Sequence, residues 1–129
     1  MDAIFLLLVE DDAGVQEILH AELTDAGFKV IVVSGGTQAI MQLEDAAARL
    51  RAIITDIRLG AGPDGWEVAR RARELFPDIP VVYATGDSAA EWSSKGVPKS
   101  VLIVKPFAPS QLITAVSTLL NEADTNRAC

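Results

Sequence analysis

Short apolar runs alternate along the chain with stretches in which apolar residues recur every three or four positions. The first run, residues 3–9, is continuous rather than alternating, which is typical of a parallel strand covered on both faces. Four later runs are also short, apolar and rich in Val or Ile: residues 28–33, 52–55, 81–84 and 101–104. We therefore predict five strands.

Helical periodicity fills the gaps between these runs. The first helical stretch follows Asp12, a residue type that caps helix N-termini, and ends at Gly27. Three more stretches share its spacing of apolar residues: residues 39–47, 66–76 and 112–120. Only residues 88–95 are available for the fourth helix, because a Gly-Val-Pro breaker follows, so we expect a short helix or a mobile loop there.

The resulting order, βαβαβαβαβα, predicts one α/β domain. Right-handed crossovers wind such a chain into a parallel sheet with helices on both faces. In a flavodoxin-like winding the strand order is 2-1-3-4-5, and ligands bind beyond the carboxyl ends of the strands. We expect this doubly wound fold over residues 1–122, with a shortened fourth helix and a short polar tail at 123–129.

Composition and charge limit the cellular location and the binding partners expected for the protein. The chain has 129 residues, half of them apolar, with a net charge of −7 that would repel nucleic acid and anionic membranes. Its only cysteine is Cys129, so an internal disulfide is excluded and a reducing cytoplasm is indicated. The first apolar run is too short to span a bilayer. We expect a cytoplasmic protein that binds neither nucleic acid nor membrane directly.

Acidic residues follow two of the predicted strands. Glu10 and Asp11 come directly after the first strand and Asp56 after the third. These strands are neighbours about 4.8 Å apart in the predicted sheet, so the three carboxylates should converge. A hard divalent cation such as Mg²⁺ would relieve their repulsion. The alternative is that the acids of the first strand merely cap a helix N-terminus, where negative charge is favoured.

The next two strand ends carry a hydroxyl and a cation. Thr85 follows the fourth strand and Lys105 the fifth, which places a hydrogen-bond donor and a point charge at the same sheet edge. Asp56 could then act as a nucleophile that forms an acyl phosphate, with the metal offsetting charge on the phosphoryl oxygens. Taken separately, Thr85 could be an ordinary strand-end hydroxyl and Lys105 a solvated charge.

The segments LLLVEDD, ITDIRL, VVYATG and VKPF resemble, in order and spacing, the signatures of response regulator receiver domains. The resemblance covers residues 3 to about 121. It implies that Asp56 is the phosphoacceptor, Glu10 and Asp11 the acidic pair, Thr85 the switch hydroxyl and Lys105 the family's lysine.

Two further expectations come from the same resemblance. Arg58, two residues past the acceptor, would supply a backbone carbonyl to the metal. The Lys105-Pro106 peptide would be cis, a form that costs little before proline.

Some positions depart from the family pattern. Leu102 stands where the family usually has a switch aromatic, three residues before the lysine, and the loop after the acceptor is about one residue longer than usual. The sequence YATG, together with the short predicted fourth helix, is similar to the receiver subgroup called FAT GUY, after its motif PFxFATGY. Asp87 stands where that motif has its final tyrosine. That subgroup implies a histidine kinase partner of the HWE or a related class.

The favoured function is a single-domain response regulator receiver that takes a phosphoryl group from a histidine kinase or a histidine phosphotransfer protein. It would catalyse only its own phosphorylation and dephosphorylation, and would signal to a downstream protein by contact or by phosphorelay. One alternative is a receiver fragment of a hybrid histidine kinase. Another is a receiver-like binding module that is never phosphorylated. An aspartyl-nucleophile phosphatase fits poorly, since those enzymes carry their D-x-D pair after the first strand.

Overall fold

The computed structural model of the protein describes residues 4–45 and 49–128, with side chains up to residue 124. The predictions for residue 3, residues 46–47 and Cys129 lie outside the described residues. The strands are β1 (Phe5–Val9), β2 (Lys29–Val33), β3 (Leu50–Asp56), β4 (Val81–Thr85) and β5 (Val101–Val104). The helices are α1 (Ala13–Asp25), α2 (Gly36–Glu44), α3 (Gly65–Leu75), α4 (Trp92–Lys95) and α5 (Pro109–Ala128).

The five strands form one parallel sheet in the order β2-β1-β3-β4-β5, as predicted. Strand β1 lies between β2 and β3, with Leu7 in register with Ile31 on one side and Ile53 on the other. Every carboxyl end therefore faces the same edge of the sheet. The flavodoxin-like, doubly wound fold class is confirmed.

The core lies on both faces of the sheet because alternate side chains of each strand point to opposite sides. Leu7 and Val9 join the cluster beneath α2 and α3, whereas Leu6 and Leu8 join the cluster beneath α1 and α5. Each buried aliphatic side chain of this size contributes roughly 1.5 to 3 kcal/mol relative to exposure. Strand β1 is thus held from both sides.

Element boundaries differ from the prediction where charged residues interrupt the apolar pattern. Strand β3 begins at Leu50 rather than at residue 52, and the intervening Arg51 bonds Asp124 of α5 at 2.7 Å. Helix α5 continues to Ala128, so the backbone of the expected polar tail is helical over residues 123–128. Sheet pairing and helix continuation, rather than apolar content, fix these ends.

The fourth helical unit is short, as expected. It consists of a 3₁₀ turn (Ala89–Glu91) followed directly by α4, and neither contains a buried residue. The chain returns to the core only at Val97, which is 8% exposed. Among the described residues, no helix combines the length and the apolar character needed to cross a bilayer.

Candidate functional site

The acidic site begins where β1 gives way to α1. The amide of Glu10 still bonds the carbonyl of Val33 across the sheet at 3.1 Å, and its side chain is buried. Asp12 serves as the N-cap of α1, its carboxylate accepting from the amide of Val15 at 3.0 Å. The helix therefore uses the third acid of the run, which leaves Glu10 and Asp11 for the site.

Asp56 is the last residue of β3 and is largely buried. Its Oδ1 accepts a hydrogen bond from the amide of Ile57 at 2.7 Å. Helix α3 begins so close by that a side chain at Gly65 would overlap the Asp56 carbonyl. The chain thus folds back onto the strand end, and one carboxylate oxygen of Asp56 is fixed by its own backbone.

Lys105 joins the two buried acids. Its Nζ lies 2.7 Å from Oε1 of Glu10 and 3.1 Å from Oδ2 of Asp56. The amide of Lys105 bonds the carbonyl of Thr85 at 2.7 Å, which continues the β4–β5 pairing to the sheet edge. The expected cis peptide between Lys105 and Pro106 is present.

The three predicted acids meet at one point. Carboxylate oxygens of Glu10, Asp11 and Asp56 all lie within 4.8 Å of one another, an arrangement that could hold a metal ion. Glu10 is buried, Asp56 partly buried and Asp11 exposed, so the cluster opens toward solvent through Asp11. The donor set is entirely oxygen, which suits a hard cation.

Burial and mutual contacts shift the pKa values of this cluster. Burial raises the pKa of Glu10 to about 7, against the hydrogen bond from Lys105, which lowers it. The pKa of Lys105 rises overall: burial lowers it, but the hydrogen bond to Glu10 and the charge of Asp56 outweigh burial. The Lys105 ammonium is therefore held in its charged form beside the acceptor.

Thr85 ends β4 at the same edge and is fully buried. Its Oγ1 accepts hydrogen bonds from the amides of Asp87 at 3.2 Å and Ser88 at 2.9 Å. The hydroxyl oxygen thus holds the turn that follows β4. Since a hydroxyl can both donate and accept, these two bonds use only the acceptor capacity of Thr85.

Arg58 makes a contact that sequence reasoning did not foresee. Its Nε lies 2.9 Å from the carboxylate of Asp87, which ties the loop after the acceptor to the loop after Thr85. The pKa of Asp87 is lowered mainly by this contact. The two charges are 29 positions apart, so only the fold reveals the pair. The role expected for the Arg58 carbonyl stays a prediction.

A polar contact at the start of α1 was also missed. The side-chain amide of Gln16 donates to the carbonyl of Glu10 and to Oγ of Ser34, the latter at 3.0 Å. Gln16 therefore bridges the ends of β1 and β2. A lone glutamine on a helix gives no sequence signal for such a role.

Comparisons with known proteins agree with this geometry. The family model described as the response regulator receiver domain matches residues 6–117. The crystal structure of a response regulator receiver protein from Sinorhizobium medicae WSM419 is 49% identical, with a TM-score of 0.92, over 95% of this chain and 98% of that one.

Two further similarities add detail. The receiver domain of the sensor histidine kinase PA1611 from Pseudomonas aeruginosa PAO1, described with a magnesium ion coordinated in its active site cleft, is 25% identical. It has a TM-score of 0.79 over 93% of this chain and 99% of that one. The response regulator receiver protein CpdR from Brucella abortus (strain 2308) is 31% identical over 89% of this chain and 95% of its own length. By contrast, the chain spans about half the length of several other relatives that it matches.

Proposed function

The chain belongs to the response regulator receiver domain family, and from this we propose that it accepts a phosphoryl group on Asp56 and signals by protein contact. The observation that carries the proposal is the convergence of three carboxylates, one ammonium and one buried hydroxyl at a single sheet edge. These groups supply a nucleophile, a metal site and two partners for phosphoryl oxygens.

The proposed transfer starts from a phosphohistidine on a donor protein. A carboxylate oxygen of Asp56 attacks the phosphorus, the P–N bond breaks, and its electron pair stays on the histidine ring, which takes a proton. The products are an aspartyl phosphate and a neutral histidine. Lys105 already lies 3.1 Å from Asp56 Oδ2, so its charge is in place to stabilise negative phosphoryl oxygens.

We propose Mg²⁺ as the cofactor. Asp11 and Asp56 would be direct ligands, Glu10 would act through water, and the backbone carbonyl of Arg58 would complete the protein donors. When bound, the ion would neutralise charge on the phosphoryl oxygens. Support comes from the all-oxygen donor set and from the magnesium described in the PA1611 receiver domain.

Thr85 is proposed as the group that senses the new phosphate. Its hydroxyl oxygen holds two amides of the following turn, while its proton is available for donation. A phosphoryl oxygen on Asp56 would accept that proton in a charge-assisted bond and draw the turn toward the acceptor. The downstream protein target would recognise the displaced segment.

The donor would be a histidine kinase or a histidine phosphotransfer protein, with the HWE class suggested by the FAT GUY resemblance. An apolar groove lies beside the acidic site and is shared by α1 and the loop before α5, its lining including Val15, Ile18, Leu19 and Phe107. Ile18 is 58% exposed. Because the groove also reaches Lys105, a helix docked in it could place its histidine near Asp56.

The test is phosphorylation of the chain by a small-molecule phosphodonor in the presence of Mg²⁺, with the site located by mass spectrometry. We expect one phosphate on Asp56, complete loss of labelling in Asp56→Asn, and normal labelling in Asp25→Asn, a control that removes a charge from the far end of α1. Stable phosphate on another residue of Asp56→Asn would overturn the assignment. An unlabelled wild-type protein would favour the non-phosphorylated binding module.

Lys105→Ala separates labelling from signalling. This change removes the cation that contacts Glu10 and Asp56 but leaves the nucleophile. We expect slower labelling of Asp56, and no transmission of the phosphorylated state to the segment after Thr85. Amide exchange of that segment, measured before and after labelling, gives the result. An unchanged response in Lys105→Ala would contradict the role assigned to the lysine.

A further inference from the structure

Two side chains of β4 hold the two ends of the segment that carries the shortened fourth helix. Tyr83 and Thr85 are two residues apart and therefore point to the same face of the sheet. Thr85 bonds the backbone at the start of the segment, at Asp87 and Ser88. Tyr83 bonds its end, where the phenolic oxygen accepts from the amide of Val97 at 3.0 Å.

The Tyr83 attachment is rigid. The side chain is fully buried, and its ring packs on Trp66 with centroids 4.8 Å apart. Tyr83 is paired in register with Leu102 of β5, the position where the family usually has its switch aromatic. In this chain the aromatic that contacts the segment is thus on β4, in the core, and has a hydroxyl that the FAT GUY motif's phenylalanine lacks.

Other bonds hold the same end. Arg73 of α3 donates to the carbonyl of Pro98 at 2.6 Å and to that of Ile79 at 2.7 Å. The hydroxyl of Ser100 donates to the carbonyl of Val97 at 2.6 Å. Both polar groups of the Val97 backbone are therefore bonded to side chains, and the next carbonyl is bonded to a guanidinium.

Between the two attachments the segment is weakly held. The 3₁₀ turn and α4 contain no buried residue. Trp92 is 36% exposed and lies over Gly96, where any side chain would overlap its indole ring. Its Nε1 donates to Ser100 at 2.9 Å, so the Trp92 side chain links the weakly held part to the fixed end.

We propose that Tyr83 is a positioning residue whose hydroxyl fixes Val97, so that residues 87–96 act as a lever pivoting at Gly96 when Thr85 turns toward a phosphorylated Asp56. The inference rests on the proposed function, because phosphorylation supplies the pull on Thr85. Without the fixed end, the same pull would shift Trp92 together with Gly96 and Ser100, so the change in the contacts of its indole ring with them would be lost. The partner would recognise the altered position of Trp92.

Tyr83→Phe tests the pivot because it removes one hydroxyl and keeps the ring on Trp66. Fluorine-labelled tryptophan gives one NMR resonance for each of Trp66 and Trp92, assigned with Trp92→Phe. In the wild type we expect phosphorylation to shift the Trp92 resonance while the Val97 amide exchanges slowly in both states. In Tyr83→Phe we expect about tenfold faster exchange at Val97 and a Trp92 shift reduced by about half or more.

Ser94→Ala is the matched control, since it removes a hydroxyl from the same segment whose only hydrogen bond to another described residue is with the carbonyl of Glu91. In Ser94→Ala, the exchange rate of the Val97 amide and the phosphorylation-induced shift of the Trp92 resonance should both remain as in the wild type. The Trp66 resonance reports whether Tyr83→Phe keeps its core. If that variant does not fold, Arg73→Lys, which loses the guanidinium bonds to Pro98 and Ile79 but keeps the charge, should reduce the Trp92 shift in the same direction.

The outcomes separate the two proposals. If the wild type takes up no phosphate on Asp56, the proposed function is wrong and the lever is wrong with it. If the wild type is labelled and Tyr83→Phe gives the full Trp92 shift with slow exchange at Val97, only the pivot is overturned. A labelled Tyr83→Phe protein with a diminished Trp92 shift supports both.

Discussion

The acidic site and the segment from Gly86 to Gly96 lie at the same sheet edge but are held very differently. In the site, Glu10, Asp56 and Lys105 are joined by ion pairs of 2.7 and 3.1 Å, and their side chains are 3%, 13% and 25% exposed. In the segment, the 3₁₀ turn and α4 have no buried residue. The side chains of the acidic site are therefore held in fixed positions, whereas the segment that would respond to phosphorylation is weakly held.

This difference in local stability determines which region the free energy of phosphorylation could move. A phosphoryl group gains a few charge-assisted hydrogen bonds, each worth roughly 1.5 to 3 kcal/mol. That is too little to repack a sheet covered on both faces, but enough to shift the population of a short, exposed segment. In the proposed function, a stable site and a weakly held neighbour would therefore be complementary parts of one switch.

The largest expected effect concerns the metal. Asp11→Asn removes the exposed carboxylate of the cluster, and we expect the affinity for Mg²⁺ to fall at least about tenfold, with loss of phosphorylation. Titration with Mg²⁺ followed by tryptophan fluorescence or calorimetry measures it. Asp12→Asn is the matched control: it removes the same charge one residue later, and asparagine still caps α1. Equal Mg²⁺ affinity in both variants would refute the site.

The next effect concerns pH in the absence of metal. The pKa of Glu10 is raised by burial from 4.5 to about 7. Between these values the folded protein keeps a proton on Glu10 that the unfolded chain has lost, so the contribution of Glu10 to stability is greatest below about pH 4.5 and is lost as pH rises to about 7. The full shift corresponds to a loss on the order of 3 kcal/mol.

Urea unfolding at several pH values in a chelator measures this loss. Glu10→Gln cannot titrate, so its stability should vary less over the same pH range, while Glu17→Gln, an exposed acid of α1, should behave like the wild type. A wild-type stability that rises between pH 5 and 7 would show that other groups dominate. A loss seen in the wild type and Glu17→Gln but not in Glu10→Gln would place this pH dependence at Glu10, in the site and not in the segment.

Much of the fold follows from local sequence. Continuous apolar runs identify the strands, because only a strand covered on both faces tolerates them, and Asp12 caps α1 as its residue type suggests. Strand β3 was predicted too short because Arg51 breaks the apolar run, although Leu50 before it still pairs with Phe5 of β1. A charge partner on α5, 73 positions away, cannot be seen in a local window.

The candidate site was predicted only in part, because local sequence identifies strand ends but not the contacts between distant loops. Strand ends identify Glu10, Asp11 and Asp56, because parallel strands bring their carboxyl ends to one edge, and the structure brings these carboxylates together. The contacts of Arg58 with Asp87 and of Tyr83 with Val97 join loops whose paths depend on the whole chain. Turn geometry and side-chain reach, which the sequence pattern does not encode, decide those pairs.

The smallest expected effect tests how loosely the segment is held. The sequence alone predicts fast amide exchange across residues 86–98 that slows on phosphorylation. The structure narrows this range, because the Val97 amide bonds a buried hydroxyl, so we expect fast exchange only across residues 86–96.

Asp87→Asn should speed exchange at residues 86–91 slightly and leave labelling of Asp56 intact, since the Arg58–Asp87 pair is exposed and such pairs stabilise little. Glu91→Gln, which breaks the exposed pair with Lys95, is the control and should leave residues 86–88 unchanged. Exchange at residues 86–96 as slow as in the central strands would remove the difference between the two regions, and with it the basis for the switch.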